Sequence, residues 1–373
     1  MTKAILFLYF VMPAMLFSPL LAAEETSRNW GIAPVPFIGY TPDLGGIFGL
    51  AGILFYGPDV GVPEEDQKGI PNNTVVMNNI FTTNRSLIIA AVTVNYFDRD
   101  TWRLDTRTAF TRFPEDFYAP GTPAGQGDDA RERFDATNLR LSGSFARRVT
   151  PGLYLGPFLE FVSYSVTDQV SGGVLETADV SGNQGSTQAF LPGVKAIYDT
   201  TDGSFFPTYG SLMEVTVQNA PEQTSDTGSF GIMTVDLRRY MQPWAQRRDV
   251  LAVQTLYQQS WGNTPFFLLP FVGGDDTLRG YAEERFRGNS ALSGQVEYRI
   301  PLRHRLGLTG FVAAGQAAPS VGELDLSDPV IAGGVGLRFA MNQEQGLNLR
   351  LDLAFSREYP SRPAIYVNAR EAF

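Results

Sequence analysis

The stretch GLNLRLDLAFSR, residues 346–357, alternates in polarity along its length. Leu347, Leu349, Leu351, Leu353 and Phe355 fall on one side, with Asn348, Arg350, Asp352 and Ser356 on the other. A period of two marks a strand, whereas an amphipathic helix needs apolar positions three and four apart. The polar side holds an arginine and an aspartate, and a dry sandwich core would take these up only at high desolvation cost. In a membrane barrel the apolar side meets lipid and the charged side lines a wet lumen. The pattern therefore predicts a transmembrane β-barrel.

The same alternation recurs upstream. Leu292, Val296, Tyr298 and Ile300 oppose Ser293, Gln295, Glu297 and Arg299, and Met233, Val235 and Leu237 oppose Asp236 and Arg238. Periodicity and turn residues together predict sixteen strands, an even number as bacterial barrels require. They fall near 33–42, 45–57, 74–84, 86–97, 100–113, 131–148, 151–170 and 186–199 in the first half. In the second half they fall near 209–219, 229–241, 248–261, 290–302, 305–317, 330–341, 346–357 and 363–373. Short links (97–100, 148–152, 301–305, 342–346) follow even-numbered strands, and long ones (114–130, 171–185, 262–289, 318–329) follow odd ones. Short turns belong on the periplasmic side and long loops outside, so 262–289 is predicted to be the sixth extracellular loop. The acidic link 58–73 is long on the wrong side. Tyr40, Phe55, Tyr96, Trp102, Tyr240, Trp244, Trp261 and Tyr366 lie near predicted strand ends, where an interfacial aromatic girdle is expected.

Residues 1–25, MTKAILFLYFVMPAMLFSPLLAAEE, place Lys3 before an apolar run, small residues Ala22 and Ala23, and then two glutamates. That is the layout of a secretory signal peptide. A membrane-spanning helix is the competing reading, but Pro13 and Pro19 interrupt the run. Residues 1–23 are therefore expected to be a cleaved signal and 24–373 a single barrel domain in the outer membrane of a Gram-negative-type cell. The absence of cysteine among 373 residues excludes a disulfide scaffold, a Cys-ligated metal and an N-terminal lipoprotein anchor. A net charge of −10 with no basic run argues against a nucleic-acid partner.

One segment breaks the apolar alternation. GGDDTLRGYAEERFRG, residues 273–288, holds seven charged residues and four glycines. Gly273, Gly274 and Gly280 allow backbone turns that a Cβ resists. A loop resting on the surface has no use for Arg279 between Leu278 and Gly280-Tyr281. A loop folded into the lumen could pair it with carboxylates on the polar strand faces, where a charge-assisted bond is stronger than in water.

GGDDTLRGY followed by VEYRIPL resembles the barrel of the BamA/TamA surface-antigen superfamily, and the resemblance extends over essentially the whole mature chain. The family's sixth extracellular loop carries a [V/I/L]-R-G-[F/Y] tetrad tucked inside a sixteen-stranded barrel, and Leu278, Arg279, Gly280 and Tyr281 match it. YDTTDGSFFPTYG (198–210) is similar to the family's D-T-R-D…P-T-x-G periplasmic turn at Asp199, Thr200, Asp202, Pro207, Thr208 and Gly210, with Thr201 in place of the usual arginine. PEDFYAPG (114–121), GVGLRF (334–339) and the terminal aromatic Phe373, expected as an assembly signal, also fit the family. Two departures stand out. Ala313 replaces an acid that the family often has opposite the loop arginine, leaving Glu297 as the expected partner of Arg279 with Asp352 behind it. Nothing resembling the family's periplasmic POTRA domains precedes the barrel in this sequence.

The resemblance implies a role in insertion or movement of protein or lipid at the outer membrane. Outer-membrane lipids, unfolded barrel clients and the cell's own assembly machinery would be the partners. A passive pore or surface antigen is the alternative. No catalytic, metal or cofactor site is expected. His304, the only histidine, lies in a predicted short turn between Arg303 and Arg305, and no G-x-S-x-G elbow occurs. Asp275-Asp276 and Glu283-Glu284 are read as solvated loop charges. Pro34, Pro36 and Pro42 in the first strand, with Arg370 and Glu371 in the last, suggest a weakly paired seam between the two.

Overall fold

The computed structural model describes residues 30–41, 45–57, 73–83, 85–120, 131–203, 206–244, 246–342, 347–358, 363–368 and 371–373. The predicted signal segment and most of the 58–73 link lie outside the described residues. The chain is all-β. Its first half comprises β1 (Trp30–Thr41), β2 (Gly45–Tyr56), β3 (Asn73–Thr82), β4 (Leu87–Phe97), β5 (Trp102–Tyr118), β6 (Arg131–Thr150), β7 (Leu153–Thr167) and β8 (Ser186–Asp199). There follow β9 (Gly210–Ala220), β10 (Phe230–Met241), β11 (Val250–Gly262) and a two-residue pair, β12 (Phe271–Val272) with β13 (Phe286–Arg287). The chain then runs through β14 (Ser290–Pro301), β15 (Leu306–Ala318), β16 (Val330–Asn342), β17 (Leu347–Ser356) and β18 (Ala364–Asn368). Among the described residues no helix is long and apolar enough to cross a membrane.

All strands except β12 and β13 form one antiparallel sheet in sequence order, each bonded to its chain neighbours, with β11 meeting β14 across the long loop. The sheet has two chemically distinct faces. One exposes Leu141, Leu155, Val194, Met213, Leu237, Val312, Leu337, Leu351 and Phe355. The other buries Glu160, Asp236, Glu297, Arg299, Arg338, Arg350 and Asp352, and the 263–289 loop lies against it. We call this second side the loop face. A β-pleat sends successive side chains to opposite sides, so the sequence alternation becomes this division directly.

Strand limits differ from expectation in two places. β5 continues through Pro114–Tyr118 because these residues pair in register with Arg131–Asp135 of β6. Residues expected to open a loop thus extend a strand of 17 residues, well beyond the ~9–11 that cross a bilayer. At the other end β18 is only five residues long, pairing Ala364–Asn368 with part of the ten-residue β17. The prolines of β1 do not break its pairing: Pro34 and Pro36 stand opposite Gly52 and Leu50 in an unshifted register. β1 is an edge strand, where a missing N–H is tolerated.

The aromatic girdle is partly corrected. Trp244 and Trp261 are exposed, but Tyr96 and Tyr240 are buried on the loop face. Tyr96 is held there by the Arg103 guanidinium 5.5 Å from its ring, and Tyr240 packs with Ala252 and Phe373.

Candidate functional site

The loop between β11 and β14 is fastened to the loop face at two places. Its first half turns at Pro265 into a short 3-10 helix, Phe266–Leu268. The Phe266 N–H donates to the Ser181 carbonyl at 2.9 Å. The Phe266 ring packs edge-on against Phe117 and Tyr164, with centroids 5.4 and 5.6 Å away, and Phe267 stacks on Tyr164 at 4.2 Å. Phe134, Leu175 and Leu269 complete this dry cluster. Leu175 comes from a one-turn helix, α1 (Val174–Thr177), whose first turn is tied to β6. The Glu132 carboxylate accepts the N–H of Leu175 at 2.8 Å and of Val170 at 3.0 Å. A carboxylate at a helix start satisfies amides that have no partner within the helix.

The second half is ionic. After β12 the chain reverses at Gly273 and Gly274, both left-handed, with φ of 135° and 86°. The Thr277 hydroxyl closes the turn, donating to the Gly273 carbonyl at 2.6 Å. Gly280 has φ 111°, and a Cβ there would come 3.1 Å from the Phe355 backbone, so only glycine lets the loop lie this close to β17. Arg279 then points into the strands. Its guanidinium reaches Glu297 of β14 at 2.7 Å, Asp352 of β17 at 2.5 Å and the Gln295 amide oxygen at 3.2 Å. Phe311 of β15 lies under the guanidinium, its centroid 3.6 Å away, a cation–π contact. The planar fork of arginine suits this, since two parallel carboxylate contacts and a ring face are met by one side chain.

Around Arg279 the charges interlock. Arg299 bonds Glu297 at 2.8 Å, and Arg338 bonds Asp352 at 2.6 Å and Glu371 at 2.7 Å. Arg350 pairs with Asp275 back in the loop. The loop is also held by the last strand: the Gly280 N–H donates to the Tyr366 hydroxyl of β18 at 2.9 Å. Leu278 and Tyr281 pack with Val272, Phe286, Ala291, Ala313 and Ala332. Ala313 thus belongs to an apolar cluster, and Gln295, directly opposite it in register, supplies the polar contact.

At the loop's outer bend the carboxyl of Glu283 opens onto solvent, yet surrounding protein displaces much of its water. That desolvation, reinforced by Glu284, Asp276, Asp275 and Glu115, pushes its pKa up to about 7.

The other predicted residues lie elsewhere. In the 199–210 turn, at the opposite strand ends, the Asp199 carboxylate accepts the Thr201 N–H at 3.0 Å and its hydroxyl at 2.7 Å, and Arg103 reaches it at 3.3 Å. Arg103 from β5 thereby supplies the cation that Thr201 does not. Asp202 accepts the N–H groups of Thr208 and Tyr209 at 2.7 and 3.0 Å, Pro207 is buried, and Gly210 has φ 107°. Phe373, expected at the end of the last strand, is buried on the loop face beside Tyr240, and its carbonyl accepts from Arg299 at 3.1 Å. Glu371 draws the chain there by pairing with Arg338. His304 occupies a turn with φ 63°. Among the described residues no cluster of His, Asp or Glu is arranged to hold a metal.

Sequence reasoning missed Phe311, Gln295, Arg338 and Tyr366. Parity could have found Phe311, which shares the loop-face side of β15 with Gly307, Thr309, Ala313 and Gly315 and is the one large apolar residue among them.

Comparison with known proteins agrees with this geometry. The sequence model of the Omp85 superfamily domain matches residues 73–366. The fold is similar to BamA from Haemophilus ducreyi lacking POTRA domains 1–3, with a TM-score of 0.56 and 12% identity over 97% of this chain and 73% of that one. It is also similar to CdiB from Escherichia coli (TM-score 0.52, 12% identity, 97% of this chain, 66% of that one). CdiB from Acinetobacter baumannii gives a TM-score of 0.51 at 9% identity over 91% of this chain and 58% of that one. No curated protein matches the sequence.

Proposed function

The chain belongs to the Omp85 superfamily, and from that premise we propose that it is an outer-membrane barrel that inserts or translocates proteins, with residues 263–289 folded into its lumen. Closure of the sheet is supported by solvent physics. In hydrocarbon an open sheet edge leaves N–H and C=O groups unpaired, at several kcal/mol each, so β1 and β18 are expected to meet. Their junction would be the weakest, since β18 offers only five paired residues. In this reading residues 1–23 are an export signal, outer-membrane lipids surround the exposed apolar face, and unfolded barrel proteins are the clients.

The observation that carries the reading is the position of the loop. Arg279 and Gly280 are bonded to β14, β17 and β18, the last two next to the proposed junction, which supports a loop that fills the interior and is fastened near that junction. A plug tied to a weak junction can steady the barrel while the junction parts for a client strand. A passive pore, by contrast, needs an interior left open, and both anchors hold the loop across it.

The test follows the folding of an unrelated urea-unfolded barrel protein into liposomes containing this protein. Acceleration is expected with the native chain, loss with Arg279→Ala, and partial loss with Tyr366→Phe, which removes only the hydroxyl that receives the Gly280 N–H. A well-folded native chain that gives no acceleration would overturn the proposed activity.

A further inference from the structure

β4, LIIAAVTVNYF, does not alternate in polarity over its first six residues, so both of its faces are apolar there. Its pairing with β5 sets Tyr96 opposite Arg103, Val94 opposite Asp105 and Val92 opposite Arg107, which puts the even-numbered residues of β4 on the loop face. Pairing with β3 adds Val76 opposite Val92 and Ile80 opposite Ile88. Val76, Ile80, Ile88, Ala90, Val92 and Val94 therefore form an apolar wall, interrupted only by Asn78, on the face that carries buried ion pairs at β14–β17. The wall is partly open: Val92 is 40% exposed and the other five are half-buried. Met77, Phe81 and Ile89, on the other side of the same strands, are exposed as well. Apolar surface is thus continuous in chemistry from the lipid-facing side to the loop face near the β1 edge.

Among the described residues one cation beside this wall makes no ion pair. Arg107, opposite Val92, is exposed on the loop face and makes no ion pair among the described residues. Asp105 is engaged by Arg103 at 2.9 Å, and Glu214, whose charge Arg107 senses, is engaged by Lys195 at 3.0 Å. The wall from Val92 to Ile88 is four residues, about 13 Å long. That is close to half of the ~30 Å hydrocarbon core, the depth one acyl chain occupies.

We propose that the loop face of β3 and β4 binds a membrane lipid with an anionic phosphate headgroup, its acyl chain along Val76, Ile88 and Val92 and its headgroup at Arg107. The proposal rests on the membrane-barrel reading but not on insertion activity, so it can fail or hold independently of the insertion assay.

The pleat itself provides the test. The purified full chain in nanodiscs would be irradiated with lysophosphatidate carrying a diazirine on its acyl chain, or with an uncharged monoacylglycerol analogue, and adducts mapped by mass spectrometry. The charged probe is expected to label the even-numbered β4 residues Ile88 and Val92 saturably, with unlabelled lysophosphatidate competing. Both probes should label Ile89 and Met77 without saturation, which also reports that each variant is folded. Arg107→Glu should weaken even-numbered labelling about tenfold, as loss of a charge-assisted contact does, while Arg107→Lys retains it. Labelling confined to odd-numbered residues overturns the proposal. So does even-numbered labelling indifferent to headgroup charge or to Arg107→Glu, and so does displacement by a strand-forming peptide that outcompetes the lipid.

Discussion

The two fastenings of the 263–289 loop solve the same problem by opposite means. Phe266–Leu269 is held by a dry aromatic cluster on β5–β7, whereas Leu278–Tyr281 is held mainly by ion pairs to β14 and β17. The hydrophobic gain of a dry cluster is non-directional, so neighbouring segments can close over a lost side chain in part. Buried charges do not have that latitude, because an orphaned carboxylate keeps its desolvation cost while losing its partner. The contrast implies that the aromatic fastening tolerates change and the ionic one fails abruptly.

Arg279→Ala should therefore have the largest effect. It takes one arginine from each of Glu297 and Asp352, both fully buried and left to Arg299 and Arg338, and removes the Gln295 and Phe311 contacts as well; breaking a buried pair costs about 3–5 kcal/mol. The expected outcome is rapid trypsin cleavage at Arg285 and Arg287 and a lowered thermal midpoint in detergent. Arg279→Lys keeps the charge but cannot bridge both carboxylates and lie flat on Phe311, so it should fall between the two.

Phe266→Ala should cost less, about 3 kcal/mol, the low end for a buried phenylalanine, because the loop that carries it and the short α1 segment can settle inward on the strands. The double variant then sharpens the comparison. The fastenings share no partner residue, so their effects on the thermal midpoint and cleavage rate should add to within roughly 0.5 kcal/mol. A large coupling would mean that the loop moves as one rigid body and that the two fastenings are not separate.

The two halves of the loop were also unequally legible. Leu278-Arg279-Gly280-Tyr281 stands out because charge and glycine interrupt an alternating pattern, and strand parity puts Glu297 and Asp352 on the polar faces, from which the family resemblance picks them as partners of Arg279. Nothing in NTPFFLLP (263–270) distinguishes it from a strand end, since a cluster drawn from β5, β6, β7 and α1 leaves no local period. Tyr366 was read as a membrane-interface aromatic because position along a strand does not reveal the face once the register is unknown. Similarly, the inward turn of residues 371–373 follows from Glu371 meeting Arg338, a contact 33 residues apart in sequence. Local alternation thus gives strands and faces, whereas contacts assembled from four or five strands appear only in three dimensions.

The smallest effect concerns the bend that follows the ionic fastening. Glu283 titrates near its ordinary 4.5 in the unfolded chain but at about 7 in the folded loop. The folded loop therefore binds more protons across this interval, and its stability falls as pH rises from about 4.5 through about 7, then levels off. Desolvation sets that sign, and the groups facing Glu283 reinforce it. Glu284, Asp276, Asp275 and Glu115 all raise its pKa, while the nearby arginines Arg287 and Arg350 are engaged by Glu284 and Asp275. Protection factors for hydrogen exchange across residues 273–288, corrected for the intrinsic pH dependence of amide exchange, should accordingly be higher at pH 5.5 than at pH 8, and Glu283→Gln should flatten the difference by protecting the loop at the higher pH. Equal protection factors at both pH values in the native chain would mean that water at the bend screens the carboxyl fully. The ionic fastening would then draw nothing from its acidic border, and the contrast between the two fastenings would rest on Arg279 alone.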